Sequence, residues 1–135
     1  DKDQFMTMHR NLHLLGEGLQ AFGSRDMAKL RSIFHDGVCW HYTGTSVLAG
    51  TYVGLAEVFE LFARRAALSN ETYKLLVDQA IASDDFVTLL GRTRAQRDDE
   101  VYEDCICYVY RVERGKVIEA WGIPGNPERE RAFYG

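Results

Sequence analysis

The stretch Val101-Tyr-Glu-Asp-Cys-Ile-Cys-Tyr-Val-Tyr-Arg-Val112 is rich in aromatic and β-branched residues and is flanked by short polar links. This composition is typical of a β-strand. Successive side chains of a strand point to opposite faces of the sheet, so the stretch predicts two different faces. One face holds Tyr102, Asp104, Ile106, Tyr108 and Tyr110, and the other holds Cys105, Cys107, Val109 and Arg111. A tyrosine stripe of this kind either packs in the core or lines a pocket with polar-tipped aromatic rings.

Three further strands are predicted around this one. They span Thr72 to Ser83, Phe86 to Arg97 and Lys116 to Ile123. The links between them are only three or four residues long, and links of this length join antiparallel neighbours in hairpins. The second half of the chain is therefore predicted to be a four-stranded antiparallel meander.

The N-terminal half has a helical period instead. Apolar residues recur every three or four positions from Phe5 to Phe22, and Gly23 is the expected end of this first helix. The later elements follow in order: a helix capped by Asp26 and closed by Gly37, a strand from Val38 to Thr43, a loop from Gly44 to Gly50, and a helix from Gly54 to Leu68. After Pro124 and Pro127 stop the last strand, Glu128 to Tyr134 is predicted to be a short helix or tail. A sheet with helices segregated to one side is an α+β arrangement.

Composition excludes several classes of protein. The 135 residues are enough for one domain, 1–135, and the net charge of −4 gives no electrostatic footprint for nucleic acid. No apolar run is long enough for a membrane span, and no signal peptide opens the chain. The three cysteines show no metal-ligand or redox spacing, so free thiols and a cytoplasmic location are expected, with no metal. No nucleotide or flavin motif is present, and no cofactor is expected.

The segment from Phe34 to Gly54, with Trp40-His41 inside it, resembles the pocket-entry segment of the SnoaL-like proteins. The stretch Gly115-Lys-Val-Ile-Glu-Ala-Trp121 also matches them. This family is a branch of the nuclear transport factor 2-like superfamily, which includes steroid isomerases, polyketide cyclases and limonene epoxide hydrolases. The resemblance implies a cone-shaped, curved, mixed sheet wrapped around the N-terminal helices and an enclosed apolar cavity. It also implies a homodimer formed through the face of the sheet.

The same resemblance supplies candidate catalytic residues. His41 matches the general-base position of the steroid isomerases, and Tyr108 lies near their buried hydrogen-bond donor. Asp104 shares the tyrosine face and is a candidate acid; alternatively it forms an ion pair with Arg92 or Arg94 across the strand pair. Nine further residues are predicted to bind substrate: Trp40, Tyr42, Tyr52, Phe59, Phe62, Arg92, Cys107, Glu119 and Trp121.

Two functions are compatible with these residues. The first is a cofactor-independent isomerase, cyclase or dehydratase acting on a hydrophobic carbonyl or polyketide-like substrate. In it His41 takes a proton, and Tyr108 stabilises the enolate oxygen with help from Asp104 or Arg92. The second is a non-catalytic ligand carrier or dimeric interaction module. Gly122, Ile123 and Pro124 stand where epoxide hydrolases and cyclases of this superfamily carry a carboxylate after the tryptophan, which favours the second.

Overall fold

The computed structural model describes residues 9–135 and has the expected α+β architecture. The helices are α1 (Arg10–Ser24), α2 (Met27–Ile33), α3 (Leu55–Leu68) and α4 (Pro127–Tyr134). The strands are β1 (Phe34–Tyr42), β2 (Gly50–Val53), β3 (Lys74–Ala82), β4 (Phe86–Arg97), β5 (Glu100–Glu113) and β6 (Lys116–Pro124). The part of the predicted first helix before residue 9 lies outside the described residues. Among residues 9–135, no helix is long and apolar enough to cross a membrane.

The six strands form one open, mixed sheet in the order β2-β1-β6-β5-β4-β3. The meander from β3 to β6 is confirmed as consecutive antiparallel pairs. β1 joins the sheet by pairing parallel to β6, and β2 pairs antiparallel to the outer side of β1. β2 was not predicted, because it is only four residues long and its alternation is too short to identify.

Two predicted helix boundaries are wrong. The first helix runs past Gly23, and its left-handed terminal residue is Arg25, whose N–H bonds to the carbonyls of Ala21 and Phe22. The second helix ends at Ile33 instead of continuing to Gly37, which lies within β1. Glycine favours a helix terminus only statistically, and here the chain reaches its next strand before Gly37. The cap at Asp26 and the start of the third helix after Gly54 are confirmed.

The two faces of the sheet differ in their surroundings. The inner face packs against the helices and carries most of the core, including Trp40, Leu89 and Tyr108. The outer face carries charged residues together with exposed apolar ones, among them Leu90 and Ile123. Burial of the inner face against α1, α2 and α3 is the main apolar contribution to folding.

Gly122 on β6 is required by the packing of two aromatic rings. A β-carbon at this position would lie 2.6 Å from Cδ1 of Tyr42 and 2.7 Å from Cε1 of Tyr108. These rings flank Gly122 because all three residues pair in one row across β1, β6 and β5. Only a residue without a side chain leaves room for both phenols.

We expect Gly122→Ala to lower the free energy of unfolding by about 1–3 kcal/mol, because the two buried rings must move. Urea unfolding measures the change. Gly16→Ala is the control, since nothing lies within 4 Å of its β-carbon and it is exposed within α1. That variant should gain roughly 0.5–1 kcal/mol through helix propensity. A wild-type stability of Gly122→Ala would contradict the packing argument.

Candidate functional site

A small cavity lies between the inner face of the sheet and helices α1, α2 and α3. It encloses about 70 Å³. A wider groove of about 710 Å³ lies against it and shares Phe22, Phe62, Arg65 and Tyr73 as walls. A volume of 70 Å³ accommodates only a few water molecules. A ligand that reaches the inner cavity therefore extends into the groove.

The guanidinium of Arg65 is the dominant polar group at this cavity. Arg65 is 4% exposed, and its side chain donates one hydrogen bond, from Nη1 to the Tyr108 hydroxyl at 3.2 Å. Within residues 9–135, no carboxylate lies within ion-pair distance of it. An arginine side chain stays protonated in proteins and has five N–H donors. Arg65 is thus a buried cation with unused donors.

Aromatic rings provide much of the compensation for this buried charge. The Arg65 Cζ atom lies 3.9 Å from the centre of the Tyr73 ring, and farther from the rings of Phe62 (5.4 Å) and Phe22 (5.6 Å). The electron-rich face of a ring attracts a cation, and the attraction is strongest where water is excluded. Ring contacts leave the N–H donors of the guanidinium unsatisfied, so an oxygen ligand still gains from binding there.

Other hydrogen-bond donors lie beside Arg65. The Trp40 indole N–H is buried without a hydrogen-bond partner among the described residues, and the Tyr73 hydroxyl is buried close to that of Tyr108; both Trp40 and Tyr73 line the cavity. Burial raises the pKa of Tyr73 well above its usual value, so its phenol keeps its proton. Buried polar groups without partners cost free energy until a ligand or water satisfies them. The cavity is therefore suited to an electron-rich oxygen on an otherwise apolar molecule.

Neither Arg65 nor Tyr73 was a candidate in the sequence analysis. The signal for Arg65 was present in α3: Val58, Leu61 and Arg65 follow each other at helical spacing, and all three are buried. An arginine within the apolar stripe of an amphipathic helix is expected either to have a buried partner or to face a ligand. Tyr73 precedes β3, and only the tertiary contact with Arg65 distinguishes it from other aromatic residues.

The expectation that His41 and Tyr108 face the same pocket is wrong. Tyr42, Gly122 and Tyr108 pair across β1, β6 and β5, so Tyr42 and Tyr108 share the inner face. His41 is the next residue of β1, and it therefore points to the outer face. Its Nε2 atom lies 2.7 Å from Oε2 of Glu119, and its ring stacks on Trp121.

Asp104 is on the inner face, as expected, but it does not line the cavity. Its Oδ2 atom accepts hydrogen bonds from the Tyr102 hydroxyl at 2.7 Å and from the Asn126 N–H at 2.9 Å. The alternative ion pair is also wrong, because Arg92 pairs with Asp78 and Arg94 pairs with Glu103. Asp104 holds the turn that leads into α4.

The remaining predicted substrate-binding residues are scattered over several parts of the fold. Trp40 and Phe62 line the inner cavity together with Tyr108, and Phe59 lines only the groove. The Tyr42 and Tyr52 hydroxyls donate to Glu130 and to the Leu48 carbonyl. On the outer face lie Arg92, Cys107, Glu119 and Trp121. The inner cavity thus contains three of the twelve predicted site residues and, among the described residues, no histidine or carboxylate.

The family is established by comparison with known proteins. A model of the SnoaL-like domain matches residues 17–120. The chain belongs to the SnoaL-like family. None of the curated proteins matches this SnoaL-like chain in sequence.

Solved structures confirm the fold of this SnoaL-like protein. Bal32a, from a soil-derived mobile gene cassette, is 27% identical with a TM-score of 0.88, over 93% of this chain and 97% of its own. A Xanthomonas campestris protein of unknown function with a cystatin-like fold is 26% identical with a TM-score of 0.85, over 95% and 99% of the two chains. TerC, co-crystallised with polyporic acid, is 18% identical with a TM-score of 0.82, over 93% and 98%. Many proteins thus share this backbone, and the site itself has to decide the function.

A buried carboxyl group in this SnoaL-like domain supports α4. Glu130 is 1% exposed, and its Oε2 atom accepts a hydrogen bond from the Tyr42 hydroxyl at 2.5 Å. Burial raises the pKa of the Glu130 carboxyl above its usual value of 4.5, although the bond from Tyr42 opposes the shift. The folded state therefore holds the proton of Glu130 more tightly than the unfolded state does.

This shift gives stability a defined pH dependence. The contribution of Glu130 is complete below pH 4.5 and is lost as the pH rises above that value, because the folded state then has to accommodate a buried charge. We expect Glu130→Gln, which keeps an acceptor for Tyr42 but cannot titrate, to show a flatter decline of unfolding free energy above that pH. Urea unfolding over a pH series measures the slope. Glu128→Gln, exposed on the same helix, should retain the wild-type slope, and equal slopes for all three proteins would contradict the argument.

Proposed function

We propose that this SnoaL-like protein binds a small hydrophobic carbonyl or polyketide-like compound and polarises one of its oxygens with Arg65 and Tyr108. One observation carries the proposal: a buried guanidinium with unused donors at the end of an apolar cavity. The ligand's oxygen occupies the inner cavity, and its apolar body lies in the adjoining groove. TerC, which shares the fold, was co-crystallised with polyporic acid, and this supports a small organic ligand for the present chain.

The ligand class follows from the chemistry of the cavity. An enolate, phenolate or carboxylate oxygen matches a guanidinium through charge-assisted hydrogen bonds, which are about twice as strong as neutral ones. The aromatic and aliphatic walls of the inner cavity disfavour a sugar or a phosphate ester there, since most of their hydroxyl or phosphate oxygens would lose water without finding partners. A flat conjugated enolate suits both the guanidinium and the apolar walls, because it has a charged oxygen and an apolar frame.

Enzymatic turnover is the second candidate function. Donors placed where negative charge develops stabilise an enolate relative to its ketone, and one such donor is worth roughly 10²–10³-fold in rate. His41 cannot serve as the base in this cavity, because it lies on the opposite face of the sheet. An isomerase or cyclase built on this site therefore uses Arg65, Tyr108 and Tyr73 only as donors to the enolate oxygen. The proton of an already acidic C–H bond then passes to water, which carries it to the solvent.

The binding proposal is tested with substituted naphthols, whose absorbance separates the neutral form from the anion. We expect the wild-type protein to lower the pKa of the bound naphthol. Arg65→Met should abolish that shift and weaken binding by about 10–100-fold, the usual worth of a hydrogen bond to a charged group. Arg64→Met is the matched control, since Arg64 is the preceding residue of α3 and is exposed. Equal affinity and equal naphthol pKa in both variants, with unfolding showing that each is folded, would overturn the proposal.

Turnover is distinguished from binding by deuterium exchange into the C–H bonds next to the carbonyl of a bound enone, followed by NMR. Exchange that is faster with the wild type than with Arg65→Met supports an enzyme. Tight binding without faster exchange supports a carrier.

Exposed apolar residues on the outer face of the sheet support a homodimer. Leu90, Cys107 and Ile123 lie side by side across β4, β5 and β6, and Leu90 and Ile123 are 44% and 42% exposed. An exposed apolar row at the centre of a sheet is typical of an association surface. We propose that it packs against the same face of a second copy of the chain, as closed two-fold symmetry requires.

We expect light scattering to give twice the 15.4 kDa chain mass for the wild type and the single chain mass for Ile123→Lys, because a charge in a dry interface has no partner. Val47→Lys adds the same charge at an equally exposed apolar residue away from the strands, and it should remain dimeric. A monomeric wild type would exclude this assembly.

A further inference from the structure

The outer face carries a second cluster of chemically active side chains, formed by Cys39, His41 and Glu119. Cys39 and His41 are two residues apart on β1 and so share a face, and Cys39 pairs with Glu119 of β6. The two strands are adjacent and lie inside the sheet, with β2 and β5 on their far sides. Three side chains from two interior strands are held more firmly than side chains on loops, as a preorganised site requires.

The three ligand atoms converge on one point. The Nε2 atom of His41 lies 2.7 Å from Oε2 of Glu119 and 3.5 Å from Sγ of Cys39, and all three atoms lie within 4.8 Å of one another. A catalytic relay of cysteine, histidine and glutamate needs the thiol on one ring nitrogen and the carboxylate on the other. Here both groups face the same nitrogen, which excludes the relay. Convergence of sulfur, nitrogen and oxygen on a common centre is the arrangement of a metal site.

Neighbouring side chains hold these ligands in place. The Oγ1 atom of Thr51 lies 3.3 Å from Nδ1 of His41, where it can accept a hydrogen bond from Nδ1–H when a metal replaces the Nε2 proton that bonds to Glu119. Arg111 binds the other carboxylate oxygen of Glu119, Oε1, at 3.1 Å, so that Oε2 stays directed at the centre. The Trp121 ring stacks on the His41 ring with 5.5 Å between centroids. Partners of this kind orient metal ligands and tune their affinity.

We propose that Cys39, His41 and Glu119 bind a Zn²⁺ ion. A thiolate, an imidazole and a carboxylate together match zinc better than magnesium or calcium, which take oxygen ligands only. Three protein ligands leave one position of a tetrahedral zinc open. In the single chain the side chains of His41 and Glu119 are 30% and 23% exposed, so water reaches that position there. No metal was expected from the sequence. Glu119 is 78 residues from His41 along the chain, and the two meet only through the pairing of β1 with β6.

Cobalt titration of the reduced, chelator-treated protein tests the site. We expect one Co²⁺ per chain, a thiolate-to-cobalt charge-transfer band, and displacement of both signals by Zn²⁺. Cys39→Ser should lose the charge-transfer band, and His41→Asn and Glu119→Gln should bind at least about tenfold more weakly. Arg111→Gln, which leaves all three ligands in place, should weaken binding by about tenfold or more through loss of orientation.

Control variants separate this site from other sources of metal binding. Cys105→Ser removes an exposed thiol on the same face outside the cluster and should bind cobalt as the wild type does. Arg65→Met should also bind cobalt normally, because the cavity lies on the opposite face; failure of the cavity proposal therefore leaves the zinc site standing. In thermal unfolding, Zn²⁺ should raise the midpoint of the wild type and not that of Cys39→Ala. A cobalt spectrum without a thiolate band, or one unchanged in Cys39→Ser, would overturn the assignment.

Discussion

The parallel pairing of β1 with β6 is the constraint on which both sites depend. It places Tyr42 beside Gly122, and Gly122 is in turn paired with Tyr108. Because side chains alternate along a strand, this register sends one set of residues to the helices and the next set to the outer surface. A shift of one residue would bring His41 into the cavity and expose Tyr42. The row from Tyr42 through Gly122 to Tyr108 resists such a shift, because only glycine fits between the two rings.

Arg65 determines what the inner cavity can bind. Removing a guanidinium from water costs several kcal/mol unless its surroundings compensate. The Tyr73 ring and the Tyr108 hydroxyl supply part of this compensation, and within residues 9–135 no carboxylate completes it. A core that served stability alone would be better filled by an apolar side chain at this position. This uncompensated charge is the reason for proposing Arg65 as the group that binds an oxygen of the ligand.

The two faces of the sheet have separate chemistry. The inner face offers hydrogen-bond donors in an apolar enclosure, whereas the outer face offers a thiol, an imidazole and a carboxylate near water. The hydrogen bond from His41, with Arg111 on the other oxygen, lowers the pKa of Glu119, and burial raises the pKa of Cys39. These groups are at the opposite side of β1 and β6 from Arg65, so the sheet backbone keeps them apart. Of the three catalytic residues predicted from the sequence, only His41 lies on the outer face, whereas Tyr108 and Asp104 lie on the inner face.

The sequence by itself determined the fold class, the family and most of the elements. The alternation in β4, β5 and β6 and the short links between them involve residues close together in sequence. Such local patterns can be recognised from the sequence alone. Apolar spacing likewise indicated α2 and α3, although Arg65 in the apolar stripe of α3 was not recognised as a candidate. The family motifs spanned enough of the chain to identify the sheet wrapped around helices.

Only the tertiary structure decided which residues meet. Tyr73 reaches Arg65, and Glu119 reaches His41, through contacts between segments distant in sequence. The face on which His41 lies depends on the register between β1 and β6. The register between strands that are far apart in sequence cannot be deduced from local sequence patterns. The alternation of side chains along a strand predicts two faces, but it does not indicate which of them the helices cover. The long-range pairing makes that choice, and with it the choice of the cavity residues.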